Sequence, residues 1–313
     1  MPVDAKLYKH YKLLHFSCNT TFVAVNTVQI RRKYYYFMNL KEMLGEKVPA
    51  RLKPLLPRAF DIVGSREKAV AIVEIDEKLK RYEKKIAKAI MGIQKNVKAV
   101  LSKKSSRKGA FRLSNYELIA GIKNTEVVHK EYGMRLKLDP KKVFFSVREG
   151  YERMDAAKLV KKGETVMVFF AGVGPYPILI DKISKAKRTI GIEINPRAIR
   201  YFRENIVSNK CKNVEAIEGD VRCVAGEFYG KCNRIFMPCM ESFNYLKEAI
   251  RCTEKGGIAH FYCIADEKKI SDWVEKVISI ARHEGRSAKV IGHRFVLPWG
   301  PRIWKTRIDF RVR

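Results

Sequence analysis

A doubly wound α/β sheet preceded by a small α+β domain is the fold class this chain predicts, and three observations carry that expectation. Residues 141–313 alternate short apolar runs with longer amphipathic stretches, as strand–loop–helix units do. The run TVMVFF (165–170) is continuously apolar, which suits a parallel strand buried on both faces. Residues 56–140 read instead as two strands, a helix and further strand, a β-β-α-β order that suits a small α+β domain.

In chain order, residues 1–45 are aromatic and basic, with YKHYKLLHF and RRKYYYFMNL around the strand-like TTFVAVNTVQI, and a short N-terminal module is expected there. Pro49, Pro54 and Pro57 mark a boundary, so the α+β domain is expected over 46–140. Within it AFDIVGSREKAVAIVEI reads as two strands around a turn. EKLKRYEKKIAKAIMGIQ follows as an amphipathic helix with an almost wholly cationic polar face. KAVLSKKSSRKGAFRLSNYELIAG is strand, basic loop, then strand or turn. In 141–313, the strand TVMVFF leads through AGVGP into a helix, and RTIGIEI is the next strand. NPRAIRYFRENIVSNK is a helix with proline at its start, where no N–H is needed. NVEAIEGD, NRIFMPC and GIAHFYCI read as three more strands, with helices at 242–251 and 266–283. VIGHRFVLPWG and IWKTRIDFRV close the chain as a strand pair.

The 313 residues hold 64 Lys+Arg against 33 Asp+Glu, a formal charge of +31 that is spread along the chain. A folded body this basic is expected to meet a polyanion, with nucleic acid first. Hydrophobic residues make up 46% and charged residues 31%, which excludes wholesale disorder. No apolar run approaches the roughly 18 residues of a membrane span, and charges interrupt the first apolar stretches, unlike a signal peptide. A soluble, cytoplasmic monomer without a membrane partner is the expectation. The seven cysteines form no CxxC pair and the six histidines show no metal spacing, so buried thiols and no metal site are expected.

The chemistry centres on FFAGVGPYP at the end of the first strand of the large domain. Gly172 and Gly174 let the backbone turn tightly and approach a ligand. A dinucleotide clamp needs a third glycine three residues on, where Pro177 stands. Glu193 ends the second strand, where a carboxylate accepts both hydroxyls of an adenosine ribose, and Asp220 ends the third, within reach of an adenine edge. Two strand-end acids and a Gly-rich turn suit S-adenosylmethionine, whose sulfonium needs no anion hole. Phe170, Ile194 and Val221 flank these positions and are expected to line the same site.

KVFFSVREGYER, FAGVGP, IEINPRAI, EGDVR and LPWGPRIWKTRIDF, together with KGAFRLSNYELIAG and the AFDIVGS hairpin, resemble the archaeal and eukaryotic-type tRNA (guanine-37) N1-methyltransferases and their wyosine-pathway relatives over residues 56–313. The resemblance implies a class I (Rossmann-like) methyltransferase domain behind a small RNA-binding domain, with tRNA as partner. It implies Glu152 as general base for the ring N1 proton and Arg112 as donor to guanine O6, and it places Arg148 and Arg153 around cofactor and base. Beside those two arginines Glu152 is expected to remain ionised, with burial able to raise its pKa toward working pH.

Three positions depart from the guanine-only enzymes. Val168 stands where an Asp is usual, Pro238 in Met237-Pro238-Cys239-Met240 replaces an Asn, and Phe144 replaces a Tyr. Pro238 and Phe144 resemble the bifunctional members, which also methylate carbon 7 of 4-demethylwyosine. The rival readings are the related wyosine-pathway transfer of a 3-amino-3-carboxypropyl group from the same cofactor and a non-catalytic tRNA-binding protein.

Overall fold

The computed structural model describes residues 40, 43–44, 47–107 and 109–313, so the expected 1–45 module lies almost wholly outside the described residues. Strands β1 (Phe60–Gly64), β2 (Ala69–Val73), β3 (Val97–Lys103) and β4 (Tyr116–Gly121) form one sheet in that order. Only β2 and β3 are parallel, joined by helix α1 (Glu83–Ile93) after a 3-10 turn at Glu77–Tyr82. Leu79, Ile86 and Ile90 of that connection are fully buried against Ala71, Val73 and Val100. Lys84, Lys85 and Lys88 lie on the opposite, exposed face, which is the amphipathic division the sequence shows.

The second sheet has seven strands in the order β12-β13-β11-β10-β7-β8-β9. Its members are β7 (Thr165–Phe169), β8 (Arg188–Glu193), β9 (Val214–Glu218), β10 (Cys232–Met237), β11 (Thr253–Asp266), β12 (Ala288–Gly300) and β13 (Ile303–Val312). Strands β7 to β11 are mutually parallel, and β13 inserts antiparallel between β11 and β12. Helices α2 (Gly150–Lys158), α3 (Pro175–Ile183) and α4 (Pro196–Ser208) precede or connect the strands on one side. The short α5 (Val221–Val224), then α6 (Leu246–Cys252) and α7 (Ile270–His283), complete the winding. Val166, Val168 and Phe236 enter one core and Met167, Phe169, Ile235 and Met237 the other, so β7 is buried on both faces as its apolar run requires, and so is the IFM end of β10.

The hairpin of β5 (Val127–Glu131) and β6 (Met134–Leu138) was not singled out from sequence. Its turn residues Tyr132 and Gly133 both have positive φ, +46° and +74°, the two-residue geometry that matches strand twist. Side chains of α4 complete the edge of β6: Asn205 accepts from Lys137 N–H at 2.7 Å and Asn209 from Arg135 N–H at 2.9 Å. Met134, Leu136 and Leu138 bury into the core shared with Val166, Ile178 and Phe202, so the hairpin packs on the large sheet's helices. Among the described residues no helix is long and apolar enough to cross a membrane, and no cluster of His, Cys, Asp or Glu could hold a metal ion.

Candidate active site

Strand β7 ends in a turn of alternating left-handed residues: Phe170 has φ +58°, Gly172 +58° and Gly174 +86°. The two glycines are required for different reasons. A Cβ on Gly174 would lie 2.0 Å from Cδ2 of Phe202, so this position lets α4 pack against the turn. A Cβ on Gly172 would meet only the carbonyl oxygen of Phe144 at 3.7 Å, so here the missing side chain leaves open space. Glu193 reaches across from β8, 9% exposed, and accepts from Gly172 N–H at 2.7 Å and Asn195 N–H at 2.8 Å. Burial pushes the Glu193 carboxyl above the usual range while those backbone donors pull against it. Each carboxylate oxygen keeps a lone pair for a further donor.

Phe170 turns its ring edge-on to Tyr245 at 4.9 Å, with Ile194 half-buried and Val221 buried nearby in sequence. Asp220 follows β9 directly after Gly219. It caps α5 by accepting from Arg222 N–H at 2.9 Å, and the Arg222 guanidinium clasps both its oxygens at 3.0 and 2.5 Å, which holds the carboxyl below its ordinary range. That guanidinium lies over Tyr245 at 5.3 Å, so Asp220 closes the wall through Arg222. The open backbone at Gly172, the strand-end Glu193 and the aromatic wall fit the adenosine half of S-adenosylmethionine. Val168 is fully buried in the core, so no carboxylate enters the site from that position.

At the other end, Phe144 is half-buried with the Arg107 guanidinium over its ring at 4.2 Å and Arg112 at 6.0 Å. Arg112 has φ +51°, donates to Cys239 Sγ at 3.4 Å and pairs with the Glu241 carboxylate. The Pro238 carbonyl accepts from Lys305 Nζ at 3.0 Å, and the same ammonium meets Glu149 at 2.9 Å. Arg112, Phe144 and the 238–241 loop therefore converge although they come from separate parts of the chain.

Glu152, 2% exposed, stands in a different environment from the one expected. Tyr262 donates to its Oε1 at 2.6 Å and Arg307 at 2.7 Å, while Oε2 is buried without a hydrogen-bond partner among the described residues. Burial raises its pKa, opposed by Arg307 and Tyr262. The two arginines expected beside it are elsewhere. Arg153 is 2% exposed and bound at 2.8 and 2.6 Å to Glu131, whose carboxyl His129 and Arg153 hold down at about 2 despite its burial. Arg148 pairs with Asp61 at 2.9 Å on the exposed seam to β1. Both tie α2 and the turn before it to the small sheet and the hairpin: Arg153 engages Glu131 through two donors and the Ser146 carbonyl through a third, whereas Arg148 uses only Nε and keeps its remaining donors toward solvent. Sequence reading passed over Tyr176, Tyr262, Arg294, Lys305 and Arg307. Their signal was the occurrence of cations and tyrosines inside otherwise apolar strands and, for Tyr176, in the apolar first turn of α3.

Residues 127–291 match the family model for the TRM5/TYW2 methyltransferase domain, and residues 40–125 match that for the TYW2 N-terminal domain. The chain belongs to the TRM5/TYW2 family. It is 42% identical, over 85% of its length and 78% of the relative's, to the tRNA (guanine(37)-N(1))-methyltransferase Trm5b of Pyrococcus abyssi, and the crystal structure of that Trm5b superposes with a TM-score of 0.75. It is 28% identical to the tRNA (guanine(37)-N(1))/4-demethylwyosine(37)-methyltransferase Taw22 of Nanoarchaeum equitans, over 80% of this chain and 98% of that one. The crystal structure of Pyrococcus horikoshii TYW2 in complex with MeSAdo matches 87% of this chain and 97% of its own, with 28% identity and a TM-score of 0.72.

Proposed function

We propose that this TRM5/TYW2 protein transfers a methyl group from S-adenosylmethionine to ring N1 of guanosine 37 in tRNA. The observation that carries the reading is Glu152: a buried carboxylate, anchored through one oxygen, whose other oxygen has no hydrogen-bond partner among the described residues. Bound S-adenosylmethionine supplies an electrophilic methyl on its sulfonium. Glu193 and the Gly172 backbone hold the ribose end, with Phe170, Ile194 and Val221 lining it and Asp220 acting through Arg222. Guanine N1 carries a proton that must leave as the methyl arrives, and Glu152 Oε2 takes it. Burial makes that carboxylate more basic than a solvated one, which brings it nearer the optimum for a general base at neutral pH. Arg112 donates to O6, where negative charge grows as N1 is deprotonated, and Phe144 offers a stacking face. The surplus of 31 positive charges supplies the attraction to tRNA, and a tRNA substrate locates the enzyme in the cytoplasm. Single-turnover transfer of labelled methyl to unmodified tRNA tests the reading. Label is expected on tRNA with guanosine at 37 and none on the same tRNA with adenosine there; equal labelling of both would refute it.

A second activity on 4-demethylwyosine is favoured by Phe144 and Pro238. Proline at 238 offers no amide to fix one pose of the base, and phenylalanine stacks without a hydroxyl that would direct it. Pro238→Asn is therefore expected to reduce methylation of tRNA carrying 4-demethylwyosine more than methylation of guanosine 37. Equal effects on the two substrates would dismiss Pro238 as the determinant. The match of residues 40–125 to the TYW2 N-terminal domain favours the aminocarboxypropyl reading instead, but that transfer leaves no role for a base at ring N1. Glu152 supports methyl transfer.

A further inference from the structure

Strands β11, β13 and β12 present a row of polar side chains to α2. Tyr262 pairs across the ladder with Arg307, and Arg307 with Arg294, so the three stand side by side on one face. Two residues along, on the same face, His260 stands opposite Asp309. Glu152 and Asp155, one helical turn apart on α2, meet this row. Tyr262 and Arg307 both bond Glu152 Oε1, and Arg294 Nε stops 3.6 Å from Glu152 Oε2, beyond hydrogen-bond reach. Asp155 takes Arg307 at 3.0 Å and Arg294 at 2.5 Å. From α3, the Tyr176 hydroxyl is buried in the same charged neighbourhood, beside Tyr262.

Behind Arg307 lies a second line. Asp309 accepts from its Nε at 2.9 Å and Nη2 at 3.3 Å, and His260 Nδ1 meets the same carboxylate at 2.6 Å. Arg234 approaches the other ring nitrogen at 2.8 Å and is itself held by Glu164 at 2.7 and 2.9 Å. An arginine can only donate, so Nε2 of His260 accepts and the ring proton sits on Nδ1, directed at Asp309. The imidazole is therefore a neutral strut, and Asp309 keeps its full negative charge against Arg307.

We propose that Asp309, held by His260, is a positioning residue for methyl transfer: it occupies the Nε edge of Arg307, confines that guanidinium to one oxygen of Glu152, and leaves the other oxygen as proton acceptor. The inference rests on Glu152 as the general base. Its consequence is a basicity set from two sides. Without the Asp309 charge, Arg307 acts on Glu152 less neutralised, the carboxylate is stabilised, and a weaker base results. Without the Tyr262 hydroxyl, one donor to the carboxylate is lost and a stronger base results.

The pH dependence of the single-turnover methylation rate, measured with saturating S-adenosylmethionine, reads this directly. Asp309→Asn is expected to move the acid limb to lower pH by about one unit and to lower the plateau, with cofactor affinity within about twofold of wild type. Tyr262→Phe is expected to move the limb the opposite way. Loss of structure alone does not produce opposite shifts, and if Asp309→Asn does not fold, His260→Ala, which removes the donor that holds Asp309, is expected to move the limb to lower pH as well, and an unmoved limb there overturns the positioning role. Acid limbs that stay at the wild-type pH in the folded variants, while Glu152→Gln is inactive, overturn the positioning role alone. A Glu152→Gln variant with the wild-type rate and profile overturns the base reading and this proposal with it.

Discussion

Glu193 is placed where one carboxylate braces the fold beside the proposed cofactor site. Its two hydrogen bonds to Gly172 and Asn195 N–H lock the β7 turn to the β8 turn, so the proposed ribose-binding group and the open backbone beside it are set by the same contacts. Glu193→Ala is expected to weaken S-adenosylmethionine binding by about 2–3 kcal/mol, as hydroxyl bonds to a charged acceptor are lost. Titration calorimetry checks this, and unchanged affinity would make Glu193 purely a structural brace. Gly172, Gly174 and Glu193 were legible from sequence because strand, turn and strand follow one another directly. The partners of Arg148 and Arg153 were not. Their carboxylates, Asp61 and Glu131, lie 87 and 22 residues away, and local charge spacing carries no information about them.

The strand elements show the same division. Hydrophobic runs identify β7 to β11 and the closing pair, but not the register that places His260 opposite Asp309 or Tyr262 beside Arg307. That register converts scattered polar residues into a network under α2, and it is determined by side-chain packing across strands distant in sequence. A pH signature follows. Burial pushes His260 down to about 4, against the opposing pull of Asp309, from an unfolded value near 6.5. Between those values the unfolded chain binds a proton that the folded chain refuses. This contribution to stability is flat above about pH 6.5 and is lost progressively as pH falls toward about 4. Thermal melting across that window is expected to show a slope that His260→Gln reduces. The same slope in the variant would assign the acid sensitivity to other groups. The short β5–β6 hairpin escaped sequence reading because its alternation is brief and its turn is Tyr-Gly rather than the commoner Asn-Gly.

On the scale of the whole molecule, the small sheet and the large one share a core: Val63, Val70 and Leu101 bury together with Met134 and Val166. The basic loop bearing Arg107 and Arg112 is thereby brought over the 238–241 turn of the large domain, and the base end of the site is built from both. Net charge was legible from composition; this convergence was not, because it depends on how two sheets pack. Affinity for tRNA is expected to fall with a log–log salt slope of about −5 if some six phosphates are neutralised. A slope near zero would remove the surplus charge from the account of binding.

Mass spectrometry of position 37 bears most directly on the central claim. Unmodified tRNA is incubated with enzyme in excess and S-adenosylmethionine, then digested to nucleosides. Guanosine 37 heavier by one methyl group, with the fragmentation and retention of 1-methylguanosine, is the result that Glu152, Arg112 and the Gly172–Glu193 pocket predict. An unmodified guanosine 37, or a 3-amino-3-carboxypropyl group appearing only when 4-demethylwyosine tRNA is supplied, would contradict it.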